Sequence, residues 1–121
     1  IEDVDRIMAR VCEIAPLVAG KYDSNAYQSG EGIERYRPRE GAVAGVEKDV
    51  RKRPGVVEVS FQLEDDQPIL AAVLEAIYEV HSYQEQTISV TPILAGRTKG
   101  LDDKANPHRW WNTTGDWKKK A

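Results

Sequence analysis

The feature that most constrains the fold is an alternating stretch followed directly by a helical one. Residues 56–63, VVEVSFQL, alternate apolar and polar side chains, which predicts a strand with one buried face: Val57, Val59, Phe61 and Leu63. The next segment changes to helical spacing, with an apolar stripe at Ile69, Ala72, Val73, Ala76, Ile77 and Val80. Asp66 suits the N-cap of this helix and Pro68 its first turn. A strand and a helix that each have one apolar face must be packed against other elements.

The remaining segments supply those elements. EDVDRIMARVCEIA at residues 2–15 has helical spacing and acids at its start. Tyr27 and Tyr36 lie in sequence typical of a strand or an irregular hairpin. The mixed-charge stretch 47–55, EKDVRKRPG, indicates an exposed connection, and TISVTPIL at 87–94 predicts a last strand. The order predicts an α+β sandwich with two helices on one face of an antiparallel sheet.

Charge divides the chain into two regions. Its 121 residues are enough for one ordinary domain. Residues 1–96 hold ten Lys and Arg against 17 Asp and Glu, whereas residues 97–121 hold seven against three. We therefore expect an α+β domain at 1–96 and a basic, Trp-containing extension at 97–121. The acidic body argues against nucleic acid as the main partner, and only the Trp and Lys residues of the extension favour that alternative.

The single cysteine and the hydropathy indicate the compartment. Cys12 has no second cysteine to pair with and lies on the apolar face of the first helix, so we expect a buried thiol in a reducing compartment. No segment has the roughly 20 apolar residues needed to cross a bilayer. We therefore expect a cytoplasmic protein without a membrane segment.

Two groups of residues suggest ligand binding. Arg35, Arg37 and Arg39 alternate along an extended segment and would present guanidinium groups to a carboxylate or phosphate, unless they form a solvated strand face. His81 and Glu85 follow the second helix and are candidate ligands for a divalent metal ion, or His81 simply ends that helix. No candidate nucleophile has a neighbouring general base that the sequence reveals, so we do not expect an enzyme.

The ordered motifs resemble the PII/CutA-like domain, which also occurs as an insert in the NIF-three family of dinuclear-metal proteins. The matching positions follow the family order of a Gly-x-Tyr-Asp opening, a Gly-x-Gly turn, an aromatic-Arg-Pro-x-x-Gly segment and a helix-ending His-Pro-Tyr-Glu-x-Pro motif: Gly20, Tyr22, Asp23, Gly30, Gly32, Tyr36, Arg37, Pro38, Gly41, His81, Tyr83 and Glu85. Ser82 and Gln86 replace the prolines of the last motif. The resemblance covers about residues 1–94 and implies a ferredoxin-like two-layer fold.

The resemblance also implies a function. PII-like proteins are typically trimers that bind nucleotides, metabolites or anions in clefts between subunits, and CutA is linked to divalent metals. The resemblance thus implies a sensing module in which Tyr22, Asp23, Tyr36, Arg37 and Tyr83 contact the ligand. His81 and Glu85 would bind a metal ion. The alternative is a regulatory or assembly domain of a NIF-three-type, metal-dependent hydrolase. Because a ferredoxin-like sheet has a central first strand, we expect that strand to precede residue 1.

Overall fold

The described residues form two α-helices and two small antiparallel sheets. The computed structural model describes residues 1–96 and 99–112. The helices are α1 (Val4–Ile14) and α2 (Gln67–Val80), and a 3₁₀ turn covers Trp110–Asn112. The strands are β1 (Tyr27–Gln28), β2 (Gly32–Tyr36), β3 (Arg51–Val56) and β4 (Val59–Ser60). This arrangement confirms the predicted α+β class and is compatible with a two-layer sandwich.

Both helices pack through the apolar faces that the sequence predicts, and α2 begins at its predicted cap. The Asp66 side chain caps α2 by accepting a hydrogen bond from the Ile69 N–H at 3.1 Å, and Pro68 lies in the first turn. The two helices contact each other. The facing side chains of the two helices and one residue of the loop after α1 form a small buried core: Val11, Leu17, Val73, Ala76 and Ile77. Of the predicted α2 stripe, Ala72 is exposed.

The strands pair in two separate sheets. β1 pairs with β4 and β2 pairs with β3, both antiparallel. The prediction of an exposed connection at 47–55 is therefore wrong for residues 51–55, which belong to β3. Pro54 and Gly55 lie where the pairing register shifts, and Gly55 has a φ of +73°. A bulge on an edge strand tolerates a proline that cannot donate to the ladder, so the Pro-Gly pair does not end β3.

Two predicted strands are shorter than expected or absent. In the alternating stretch 56–63, only Val59 and Ser60 form a strand separate from the end of β3, although Phe61 and Leu63 are half-buried against the core. Residues 87–94 form no strand. Alternation fixes which side chains face the core, but a strand also requires a hydrogen-bonded neighbour. The described sheets have two strands each and do not provide one here.

Two further expectations concern Cys12 and the extension. Cys12 is free, as predicted, but half-buried rather than buried. Within the described part of the extension, 99–112, the Arg109 guanidinium pairs with the Asp103 carboxylate at 2.9 Å and Trp111 Nε1 donates to the Asp103 carbonyl. Trp117 and the lysine run lie outside the described residues. Among the described helices, none is long and apolar enough to cross a membrane.

Candidate functional site

The β2–β3 ribbon presents two chemically different faces. Its register pairs Glu34 with Arg53, Arg35 with Lys52, and Tyr36 with Arg51. Because side chains alternate along a strand, Arg35 and Lys52 share one face, which we call the cationic face. The other face, which we call the paired face, carries Glu34, Tyr36, Arg51 and Arg53.

Arg51 is fully partnered on the paired face. Its Nε donates to a Glu47 carboxylate oxygen at 2.7 Å, and Nη2 bonds the second oxygen in a bidentate pair. The guanidinium carbon lies 5.9 Å from the Tyr36 ring centroid. The hydrogen bonds with Arg51 lower the pKa of the Glu47 carboxyl, and the same pair raises the pKa of Arg51. Arg51 is thus a structural cation that has its counter-ion.

Arg53 connects the ribbon to the segment that follows α2. Its guanidinium carbon lies 5.1 Å from the Tyr83 ring centroid, and its Nη2 lies 3.7 Å from a Glu2 carboxylate oxygen. The Tyr83 ring also makes an edge contact with the His81 ring, with 4.8 Å between centroids. Burial raises the pKa of the Tyr83 hydroxyl, and the positive charge of Arg53 opposes that rise. Tyr83 is therefore a neutral aromatic anchor under a cation.

Asp3 joins the start of α1 to the end of α2. Its carboxylate accepts hydrogen bonds from the Ser82 hydroxyl and from Arg6, whose Nε donates to the Val80 carbonyl at 2.7 Å. The Ser82 hydrogen bond is the main cause of a lowered pKa at Asp3, followed by partial burial, which opposes it, and by Arg6. The unsatisfied carbonyl end of α2 thus receives a charged donor from α1.

His81 ends α2, as one of the two predictions for it states. Its backbone N–H bonds to the Ile77 carbonyl at 2.9 Å. Its ring Nδ1 accepts the Tyr83 backbone N–H at 3.0 Å and lies 3.9 Å from an Asp3 carboxylate oxygen. The 3.9 Å approach is too long for a hydrogen bond, so we assign the Tyr83 N–H as the Nδ1 partner. In the neutral ring the proton is then on Nε2, which has no hydrogen-bond partner among the described residues.

The cationic face has no such partners. Arg35 and Lys52 are exposed and directly opposite each other. Neither forms a hydrogen bond or ion pair through its side chain with another described residue. Arg37, just beyond the end of β2, is also exposed and lacks such a partner within residues 1–96 and 99–112. Two like charges held opposite each other form a place where an anion can bind.

The structure brings some of the predicted site residues together. Tyr36, Tyr83 and His81 belong to the paired face and its extension. Tyr22 and Asp23 lie in a separate exposed turn, where the Tyr22 carbonyl accepts from the Ala19 N–H at 2.7 Å. No described hydrogen bond, ion pair or ring contact joins that turn to Tyr36 or Tyr83. Arg37 lies beside the cationic face instead.

The metal prediction concerns His81 and Glu85. Glu85 is exposed, and no hydrogen bond or ion pair joins it to another described residue. Within residues 1–96 and 99–112, no group of three or more His, Cys, Asp and Glu side chains is arranged to hold a metal ion. His81 and Glu85 therefore remain a predicted, incomplete pair of ligands.

The residues that sequence reasoning missed are Asp3, Lys52 and Arg53. Asp3 and Ser82 are 79 positions apart, and nothing local to either indicates the hydrogen bond. For β3 a signal existed, because Arg51, Lys52 and Arg53 precede an alternating stretch and could have been read as its beginning.

Comparison with protein-family models, with curated proteins and with solved structures finds no match.

Proposed function

We propose that this chain is a binding module for a small anionic ligand, not a catalyst, and that the cationic face is its binding surface. The observation that carries the proposal is the register that places Arg35 directly opposite Lys52, with neither charge neutralised by a described residue. Like charges directly opposite on an antiparallel pair destabilise it. An anion between them removes that repulsion, so binding and ribbon stability are coupled.

The ligand class follows from the donors. A guanidinium offers a planar, bidentate fork that fits carboxylate and phosphate oxygens, and the Lys52 ammonium adds a compact charge beside it. Arg37, exposed just beyond β2, supplies a third cation for a larger ligand such as a nucleotide. The exposed position of all three favours a ligand held at the surface and exchanging readily over one enclosed in a cavity.

The resemblance extends this proposal to an assembly. A cytoplasmic PII/CutA-like protein with a ferredoxin-like sandwich would bind its ligand between subunits of a trimer, with a divalent metal ion at His81 and Glu85 as a second ligand. What supports this wider proposal is the ordered motif set of the sequence together with the α+β class of the fold. The anion proposal depends only on the cationic face and is tested separately.

The test is thermal unfolding of the intact chain with sodium phosphate, with ATP, and with sodium chloride at equal ionic strength. At a ligand concentration tenfold above Kd, binding adds about 1.4 kcal/mol and raises Tm by roughly 5 °C. Arg35→Gln and Lys52→Gln should each remove most of the shift. Lys48→Gln changes the same charge on an exposed residue outside the strands and is the matched control.

Two results would contradict the proposal. A shift equally large in sodium chloride would show general charge screening instead of binding. A shift retained in both Arg35→Gln and Lys52→Gln would place the anion elsewhere on the chain. Sedimentation of the same samples reports whether phosphate or ATP changes the number of subunits, which tests the trimer.

A further inference from the structure

A wide groove separates the helices from the strands. It has a volume of about 1240 Å³. Its apolar side is formed by residues of both helices: Ile7, Met8, Leu70, Val73, Leu74 and Ile77. Residues 29–35, 56–63 and 87–93 contribute the other walls. The groove thus lies where the core would continue if the two described sheets were joined.

The backbone along one wall is unpaired. No backbone N–H or carbonyl of residues 87–96 forms a hydrogen bond with another described residue. The segment nevertheless alternates polar and apolar side chains over residues 87–91, with Ile88 half-buried against the core and Val90 57% exposed. β4, which also lines the groove, pairs over only two residues. Unpaired backbone beside apolar side chains is the usual template for an added strand.

The volume of the groove is sufficient for a single strand. In a sheet, one residue occupies about 3.3 Å along the strand, about 4.8 Å between strands and about 10 Å through the layer, which is roughly 160 Å³. The groove volume then corresponds to about eight residues. An extended peptide of that length also spans the unpaired segment 87–94.

The rim of the groove selects the charge of the peptide. Its walls carry six carboxylates and one arginine: Asp3, Glu34, Glu58, Glu64, Asp65, Asp66 and Arg35. Glu58, Glu64 and Asp65 are exposed and form no ion pair with another described residue. An acidic rim around an apolar interior favours a peptide with apolar residues in its middle and basic residues at its ends.

We propose that this groove binds an extended peptide segment by β-strand addition to residues 87–94, and that the segment alternates apolar side chains and carries Lys or Arg at both ends. The backbone of the segment supplies hydrogen bonds to 87–94, its apolar side chains cover the helices, and its basic ends meet the acidic rim. This inference does not require anion binding, although Arg35 belongs to both the cationic face and the groove wall, and it adds a protein partner to the function proposed above.

The experiment measures fluorescence anisotropy of labelled peptides with the intact chain. The test peptide is KKVTVTVTVTKK. One control, KKVVTTVVTTKK, has the same composition without the alternation, and the other, EEVTVTVTVTEE, has acidic ends. We expect the test peptide to bind at least about tenfold more tightly than either control. Only the test peptide has both the alternating side chains that a strand requires and the basic ends that complement the acidic rim.

Variants of the chain test the backbone pairing. Consecutive N–H groups point to opposite sides of a strand, so Ser89→Pro and Val90→Pro each remove a donor on a different side. We expect at least one of them to weaken the test peptide about tenfold relative to Ser89→Ala and Val90→Ala. Thermal unfolding checks that each proline variant folds. If a variant does not fold, the comparison of the test peptide with the two control peptides still tests the proposal.

The proposal is overturned if the alternating and non-alternating peptides bind equally, or if acidic ends bind as well as basic ones. It is also overturned if both proline variants retain full affinity. A chain that sediments as a dimer and binds no test peptide would show that a second copy fills the groove. The response of Ser89→Pro to phosphate reports the anion site separately, so the two proposals fail independently.

Discussion

The two faces of the β2–β3 ribbon each carry two cations, but the cations of one face have carboxylate and aromatic partners and those of the other face do not. On the paired face, Arg51 has Glu47 and the Tyr36 ring, and Arg53 has Glu2 and the Tyr83 ring. On the cationic face, Arg35 and Lys52 have each other as direct neighbours and no carboxylate among the described residues. The cations of the paired face are neutralised by carboxylates, whereas those of the cationic face are not neutralised by any described residue.

The difference separates stability from binding. Cations that already have carboxylates and aromatic rings gain little from a ligand, and Arg53 also connects the ribbon to residues next to the helices. Cations that repel each other cost stability until an anion arrives. We therefore expect substitutions on the paired face to destabilise the chain, and neutralising substitutions on the cationic face to stabilise it while removing ligand binding.

The largest effect is expected at Tyr83, because its ring contacts both Arg53 and His81. Tyr83→Ala should lower the free energy of unfolding by about 2 kcal/mol, measured by urea denaturation. Tyr83→Phe keeps the ring and should cost less than about 0.5 kcal/mol. Ile33→Ala, at an exposed residue of the same ribbon, is the comparison, and an equal loss there would show that the paired face has no special role.

A smaller effect that depends on pH is expected at Ser82. The Asp3 pKa is lower in the folded chain than in the unfolded one, so its contribution to stability is present above the unfolded pKa and is lost as pH falls through the folded pKa. Ser82→Ala removes the main cause of the shift and should cost about 1 kcal/mol at pH 7. The deficit relative to wild type should shrink at about pH 2.

Urea denaturation at both pH values measures that deficit. Asp3→Asn is the complementary variant: it removes the titrating charge, so the cost of Ser82→Ala in the Asp3→Asn background should be the same at neutral and acid pH. A deficit of the same size at neutral and acid pH would mean that Ser82 acts through packing, without a link to the Asp3 charge.

The smallest effect has the opposite sign. Lys52→Glu places a carboxylate opposite Arg35 and should raise the free energy of unfolding by about 0.5 kcal/mol, a gain that high salt reduces. Lys48→Glu makes the same charge change on an exposed residue outside the strands and should be nearly neutral. Destabilisation by Lys52→Glu would show that the two side chains do not repel each other.

Particular residues show what sequence reasoning reached. The α2 helix, its Asp66 cap and its end at His81 follow from local chemistry, and all three are present. The prediction of a connection at 47–55 failed because the Pro54-Gly55 pair indicates a turn, whereas pairing with β2 accommodates it as a bulge. At the site, Arg37 and Tyr36 were identified from the sequence, whereas Lys52 and Arg53 were missed, because their pairing with β2 depends on a register that only the tertiary structure fixes.

The sequence by itself determined the helices, their apolar faces and the side of residues 56–63 that meets the core. Each depends on spacing and capping within a few neighbouring residues. Only the tertiary structure decided which strands pair, which charges are neutralised, and that residues 87–94 stay unpaired beside an open groove. Those outcomes depend on residues far apart in the chain, and a register shift of one position would exchange the two faces of the ribbon.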